Sequence, residues 1–164
     1  MVRALFDTNI LIDHLRGIPA AATELARCDE RAISAITWME VLVGAPPGSE
    51  RETRVFLDGF RLIEIDRAVA ERAVALRRAR RLKLPDAIVW ASAQAHGMLL
   101  VTRDTKGFPP GDPGVRMPYS VRCRKDRARS HYANPTAGGF MNAKTARLPS
   151  CETGDAWGGG RSLY

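Results

Sequence analysis

Residues 1–119 predict a three-layer α/β/α fold with a short, mostly parallel central sheet. Three observations carry that prediction. Short apolar runs at 2–6, 32–36, 61–65 and 98–101 alternate with longer segments whose apolar residues recur at helical spacing. Proline and glycine cluster at the breaks and ends of these segments, as at Pro46-Pro47-Gly48 and Gly97. Acidic residues stand at several of the strand-to-helix junctions, where open α/β sheets hold their ligands.

The first run, Val2 to Phe6, reads as a buried parallel strand that Asp7 ends. Ile10, Leu11 and Leu15 continue at helical spacing, and His14 falls on the surface of that helix. Pro19 opens a second helix through Ala26. The core of Ala32–Ile36 reads as the second strand. Thr37 then fits an N-cap, with Glu40 three residues later as its capping-box partner. That helix ends near Gly44, and Pro46-Pro47-Gly48 breaks the chain. A helix over 49–60 follows, then a strand at 61–65. Asp66 caps a helix from Arg67 to Lys83, and the same stretch carries Arg72, Arg77, Arg78, Arg80, Arg81 and Lys83. Pro85 restarts a helix with Asp86 in its first turn, where the helix dipole favours an anion. Gly97 ends it, and Met98–Val101 is the clearest buried strand. Thr102-Arg103-Asp104 places another acid at a strand's C-terminal end, and 114–117 reads as a last short strand.

From residue 120 onward neither helical nor strand periodicity persists, and residues 120–164 read as a mobile basic extension. The charge supports the division. The whole chain of 164 residues carries +7, yet residues 1–119 hold 17 Lys/Arg against 15 Asp/Glu. A basic chain attracts polyanions, but here much of the excess lies outside the expected domain. No leader resembling a signal peptide and no membrane-length apolar run is evident, which predicts a soluble, cytoplasmic protein. Cys28, Cys123 and Cys151 form neither a disulfide framework nor a zinc spacing, and the three histidines fit no metal pattern. Any metal must then be a hard ion held by oxygens.

Asp7, Glu40, Asp86 and Asp104 supply those oxygens. In a parallel sheet with right-handed crossovers, strand ends and the following helix starts share one edge, so acids spread along the sequence can converge. Gathered carboxylates repel one another, and a cation such as Mg²⁺ or Mn²⁺ offsets that repulsion. Each acid alone has a structural role open to it: a helix cap for Asp7, a capping-box partner for Glu40, a dipole partner for Asp86, a turn former for Asp104. Such a centre suits attack by water on a phosphodiester, with Arg103 or the 72–83 basic stripe near flanking phosphates. There is no glycine-rich phosphate loop and no nucleophile elbow.

Four blocks, in order, resemble the PIN domain and, within it, the VapC toxins of bacterial toxin–antitoxin pairs. They are Phe6-Asp7-Thr8-Asn9-Ile10-Leu11-Ile12, Ser34 with Thr37-x-x-Glu40-x-x-x-Gly44, Leu84-Pro85-Asp86-Ala87-Ile88, and Leu100-Val101-Thr102-Arg103-Asp104-x-x-x-Phe108. The resemblance implies a Mg²⁺- or Mn²⁺-dependent endoribonuclease that acts on structured RNA such as tRNA or rRNA. It also implies a homodimer and inhibition by a cognate VapB-like antitoxin. It places the metal-binding and catalytic acids on Asp7, Glu40, Asp86 and Asp104. Thr8 and Asn9 would shape the first strand's exit, and Thr37 and Thr102 would hydrogen-bond a carboxylate or water. Many members carry an Asp or Asn where this chain has Gly107, which puts a second metal in question. A catalytically weak RNA- or protein-binding module is the alternative reading, and a DNA nuclease is a further rival.

Overall fold

The computed structural model describes residues 2–109 and 111–120. All but the first residue of the expected extension therefore lies outside the described residues. Five strands form one sheet: β1 (Arg3–Phe6), β2 (Glu30–Ser34), β3 (Arg61–Ile63), β4 (Leu99–Val101) and β5 (Val115–Arg116). Their spatial order is β3-β2-β1-β4-β5, and every neighbouring pair is parallel. The helices are α1 (Thr8–Leu15), α2 (Pro19–Ala26), α3 (Ala35–Val43), α4 (Glu50–Leu57), α5 (Arg67–Arg80) and α6 (Leu84–Ala95). The predicted α/β/α layering is thus present, and all of its strands point the same way.

The two-residue period of a strand sends successive side chains to opposite faces. Leu5, Ala32 and Leu100 pack with Val69, Ala73, Ala87 and Trp90 beneath α5 and α6. Ala4, Phe6, Ile33 and Val101 pack with Ile10, Leu11, Ala21, Leu25 and Leu57 beneath α1, α2 and α4. Both faces of β1 and β4 are covered, so those strands read as apolar runs and not as alternating ones. Helix α3 lies at the sheet's C-terminal end and touches α1, α4 and α6.

The chain runs from β1 outward through β2 to β3, then returns to place β4 on the other side of β1. The reversal lies between β1 and β4, the position at which open parallel sheets form a crevice beyond their strand ends. The backbone N–H of Asp7 donates to the carbonyl of Val101 at 3.0 Å, fastening the two strand exits together.

Three local expectations are corrected. The second strand covers Glu30–Ser34, and Ala35 and Ile36 already belong to α3. Ser34, not Thr37, is the N-cap: its Oγ accepts from the Thr37 N–H and donates to Thr37 Oγ1, both at 3.0 Å. Glu40 therefore lies beyond the first turn of α3 and has no capping-box role. Thr37 looked like the cap because Thr-x-x-Glu fits that motif, but a buried serine three residues earlier takes the position. His14, expected on the surface, is half-buried, with its ring stacked on Phe56 at 5.0 Å.

Candidate active site

Asp7 N-caps α1, with Oδ1 accepting from the Thr8 N–H at 2.8 Å. Its other oxygen, Oδ2, accepts from Thr102 Oγ1 at 2.7 Å and from Asn9 Nδ2 at 2.5 Å. Thr102 is fully buried just past β4. Its hydroxyl oxygen also accepts from Asn9 Nδ2 and from the Asp104 N–H, each at 3.0 Å. One threonine hydroxyl therefore ties the first acid to the backbone of the last. Asn9 completes the link by accepting from the Arg103 N–H at 3.1 Å. The cap role of Asp7 is real, but it uses only one of the two oxygens.

Glu40, exposed on α3, is reached from α1: Thr8 Oγ1 donates to its Oε2 at 2.5 Å. Asp86 lies in the first turn of α6, where Pro85 precedes it and Lys83 is the N-cap. Asp104 closes a small turn, with Oδ1 accepting from the Lys106 N–H at 2.8 Å. A Cβ built on Gly107 would stand 2.8 Å from Asp104 Oδ2 and 3.7 Å from Asp86 Oδ2. The absence of a side chain at Gly107 thus leaves room for two carboxylates to face one point.

Electrostatics links all four. Burial raises the carboxyl of Asp7 to about 6, the hydrogen bonds from Thr102 and Thr8 oppose that rise, and the charges of Glu40 and Asp86 add to it. Asp86 is also raised, first by burial, then by Asp104 and Glu40, against the pull of Lys83. The mutual repulsion expected of a gathered acid set is therefore felt here. Two acids at the site hold protons more tightly than free carboxylates do, and a divalent cation would relieve both.

The donor set suits a hard, oxygen-preferring ion. Still, among the described residues no three His, Cys, Asp or Glu side chains already stand close enough together to hold one. Asp7, Glu40 and Asp104 are each engaged by a neighbouring threonine, asparagine or backbone donor. A cleft of about 630 Å³ opens on Asp86 and Asp104, lined also by Arg80, Arg81, Lys83 and Lys106.

Arg103 points elsewhere. Its Nε and Nη2 donate to the two oxygens of Asp13 at 2.6 and 3.1 Å, and Tyr119 Oη donates to Asp13 Oδ2 at 3.1 Å. Asp13 is 3% exposed. Sequence reasoning missed it, although an acid three residues after Ile10 on an apolar helix face signals a buried charge with a partner. Of the basic stripe, Arg77 donates to the Leu82 carbonyl, and Arg80 lies 4.7 Å above the Trp90 ring and 3.4 Å from Asp112.

Comparison with known proteins identifies the family. The family described as PIN domain matches residues 4–109. The chain is 33% identical over 132 residues to Ribonuclease VapC10 of Mycobacterium tuberculosis H37Rv, covering 76% of this chain and 98% of that protein. A toxin–antitoxin complex from Klebsiella pneumoniae contains a chain 52% identical to this one, with a TM-score of 0.69 over 72% of this chain and 99% of that one. FitAcB from Neisseria gonorrhoeae, at 23% identity and a TM-score of 0.58 over 72% of this chain and 99% of that one, shares the fold. With its acids at the β1–β4 reversal of a parallel sheet, the chain belongs to the PIN-domain family, among the VapC-type toxins of VapBC toxin–antitoxin pairs.

Proposed function

We propose that this protein is a Mg²⁺- or Mn²⁺-dependent endoribonuclease, the toxin of a type II toxin–antitoxin system, hydrolysing phosphodiesters in structured RNA such as tRNA or rRNA. The observation that carries the reading is the linkage of the acids at one sheet edge: Thr102 joins Asp7 to Asp104, Thr8 beside Asp7 holds Glu40, and Gly107 faces both Asp104 and Asp86. The names of the relatives, a ribonuclease and a toxin–antitoxin complex, point the same way.

Asp7, Asp86 and Asp104 would hold the ion, with Glu40 joining them or orienting the attacking water. When bound, such an ion offsets negative charge at the phosphodiester and acidifies water. The protein's own part is positional. Thr102 and Asn9 fix the Asp7 carboxylate, and Thr8 aims Glu40. Glu40 is the exposed member of the four and suits a role toward water, which would attack phosphorus in line to leave a 5′-phosphate and a 3′-hydroxyl. In this reading residues 1–119 carry the activity, and residues 120–164 are basic in composition. The partners in this reading are a VapB-like antitoxin, RNA and a second copy of the chain.

Digestion of total RNA with Mg²⁺, with EDTA and with Asp7→Asn tests the reading. Cleavage is expected only in the first; equal cleavage in all three overturns it. The spacing of the carboxylates favours one second reading, a catalytically weak RNA- or protein-binding module. Divalent titration that brings no cleavage, beside tight binding of RNA or antitoxin, selects that alternative.

A further inference from the structure

The junction between α5 and α6 has a backbone that the acid site does not explain. Arg81, the C-cap of α5, has φ 54° and ψ 29°, the left-handed conformation. Among the described residues it is the sole non-glycine with positive φ; Gly17, Gly48, Gly97 and Gly111 hold the other such positions. Glycine is favoured at a left-handed helix end because a Cβ crowds the neighbouring carbonyl. This chain places arginine there instead.

The turn does not need that guanidinium. The Arg81 N–H donates to the Arg77 carbonyl at 2.9 Å, the Arg77 side chain holds the Leu82 carbonyl, and Leu82 is buried in the core. The Arg81 side chain is exposed at the rim of the cleft that Asp86 and Asp104 line, with Lys83 and Lys106 beside it. Among the described residues no carboxylate forms an ion pair with any of these three cations, whereas Arg80 is engaged by Trp90 and Asp112. A polyanionic strand laid over a floor of acids needs cations under its flanking phosphates.

We propose that Arg81, with Lys83 and Lys106 beside it, binds a backbone phosphate of the RNA strand next to the phosphodiester presented to the acids. The proposal rests on the nuclease reading above and narrows the basic stripe to one rim. The left-handed turn takes Arg81 off the α5 helical register and leaves it on the cleft that Arg80, the last residue of α5, also lines.

The test is fluorescence anisotropy of the full chain with a labelled single-stranded RNA, with Ca²⁺ in place of Mg²⁺, across a salt series. Arg81→Gly and Arg81→Asn both tolerate positive φ. They are expected to bind roughly five- to tenfold more weakly near 0.1 M salt, with a log–log salt slope shallower by about 0.7. The thermal midpoint of Arg81→Gly should stay level or rise by about 2–5 °C. Arg81→Lys should recover most of the binding. Unchanged affinity and slope in Arg81→Gly overturn the proposal, as does a loss of binding in both variants that tracks a lowered midpoint. The two readings fail separately. Arg81-dependent binding with RNA left uncut in Mg²⁺ removes the nuclease reading alone. Cleavage by Arg81→Gly with unchanged KM removes only the phosphate contact.

Discussion

Replacing Arg103 with methionine should destabilise the domain and do so through Asp13. Methionine keeps much of the apolar stem, so the change removes the charge and its hydrogen bonds more than the packing. Asp13 is 3% exposed and receives both guanidinium contacts. Removing one partner of a buried ion pair costs about 3–5 kcal/mol, because the other charge stays buried. Two features lower that figure here. The Arg103 side chain is 32% exposed, and Tyr119 still donates to Asp13 at 3.1 Å. The expected loss is about 2–3 kcal/mol, or a drop in thermal midpoint on the order of 10 °C. Urea unfolding of wild type, Arg103→Met, Asp13→Asn and the double variant measures it. The double variant should be more stable than the sum of the single losses implies, since the asparagine leaves no orphaned charge. An Arg103→Met variant within about 0.5 kcal/mol of wild type, but with weakened RNA binding, would refute this structural role and return the residue to the phosphate contact its sequence position suggests.

Three further outcomes are expected. Ser34→Ala should cost about 1–2 kcal/mol in unfolding experiments by removing the α3 cap, and a cost near zero would restore Thr37 as the cap. Gly107→Ala should cut cleavage strongly with little change in thermal midpoint, because the added methyl meets the free end of the Asp104 carboxylate at 2.8 Å and not the backbone; equal activity in initial-rate assays would count against a role for Asp104. In EDTA, two acids should pull stability in opposite directions with pH. Asp7, raised to about 6 from 3.8 chiefly by burial, contributes stability that is present below pH 3.8 and lost as the pH rises through about 6, worth about 3 kcal/mol at most. Glu24 is lowered below 4.5, chiefly by its hydrogen bond from Arg116, so its contribution is present above pH 4.5 and lost as the pH falls further. Thermal melts of Asp7→Asn should therefore be flatter between pH 4 and 6 than those of wild type, and Glu24→Gln melts flatter below 4.5; parallel curves would refute both assignments.

How much was legible in advance depended on the range of the forces involved. Elements set by apolar period and local chemistry were readable: Pro19–Ala26, the Asp66 cap of α5, Asp86 in the first turn of α6 and Gly97 at φ 60° all stand as expected. The β2–α3 boundary was not, because Ser34 and Thr37 are both good caps and only burial chooses between them. The places of Asp7 after β1, Asp104 just past β4 and Asp86 at the start of α6 could be read from the apolar runs and Pro85. The partner of Arg103 could not, since Asp13 lies ninety residues earlier and meets it only through tertiary packing. Likewise nothing in the string Arg80-Arg81-Leu82 marks which arginine turns left-handed.

The strand order also says when this protein becomes dangerous to its maker. Asp7 is translated near the start and Thr102 follows 95 residues later, yet Thr102 must reach Asp7 before that carboxylate is held. A growing chain therefore lacks one wall of the candidate site until the fourth strand has emerged and slotted in beside the first. Any neutralising protein made beforehand has that interval in which to be waiting.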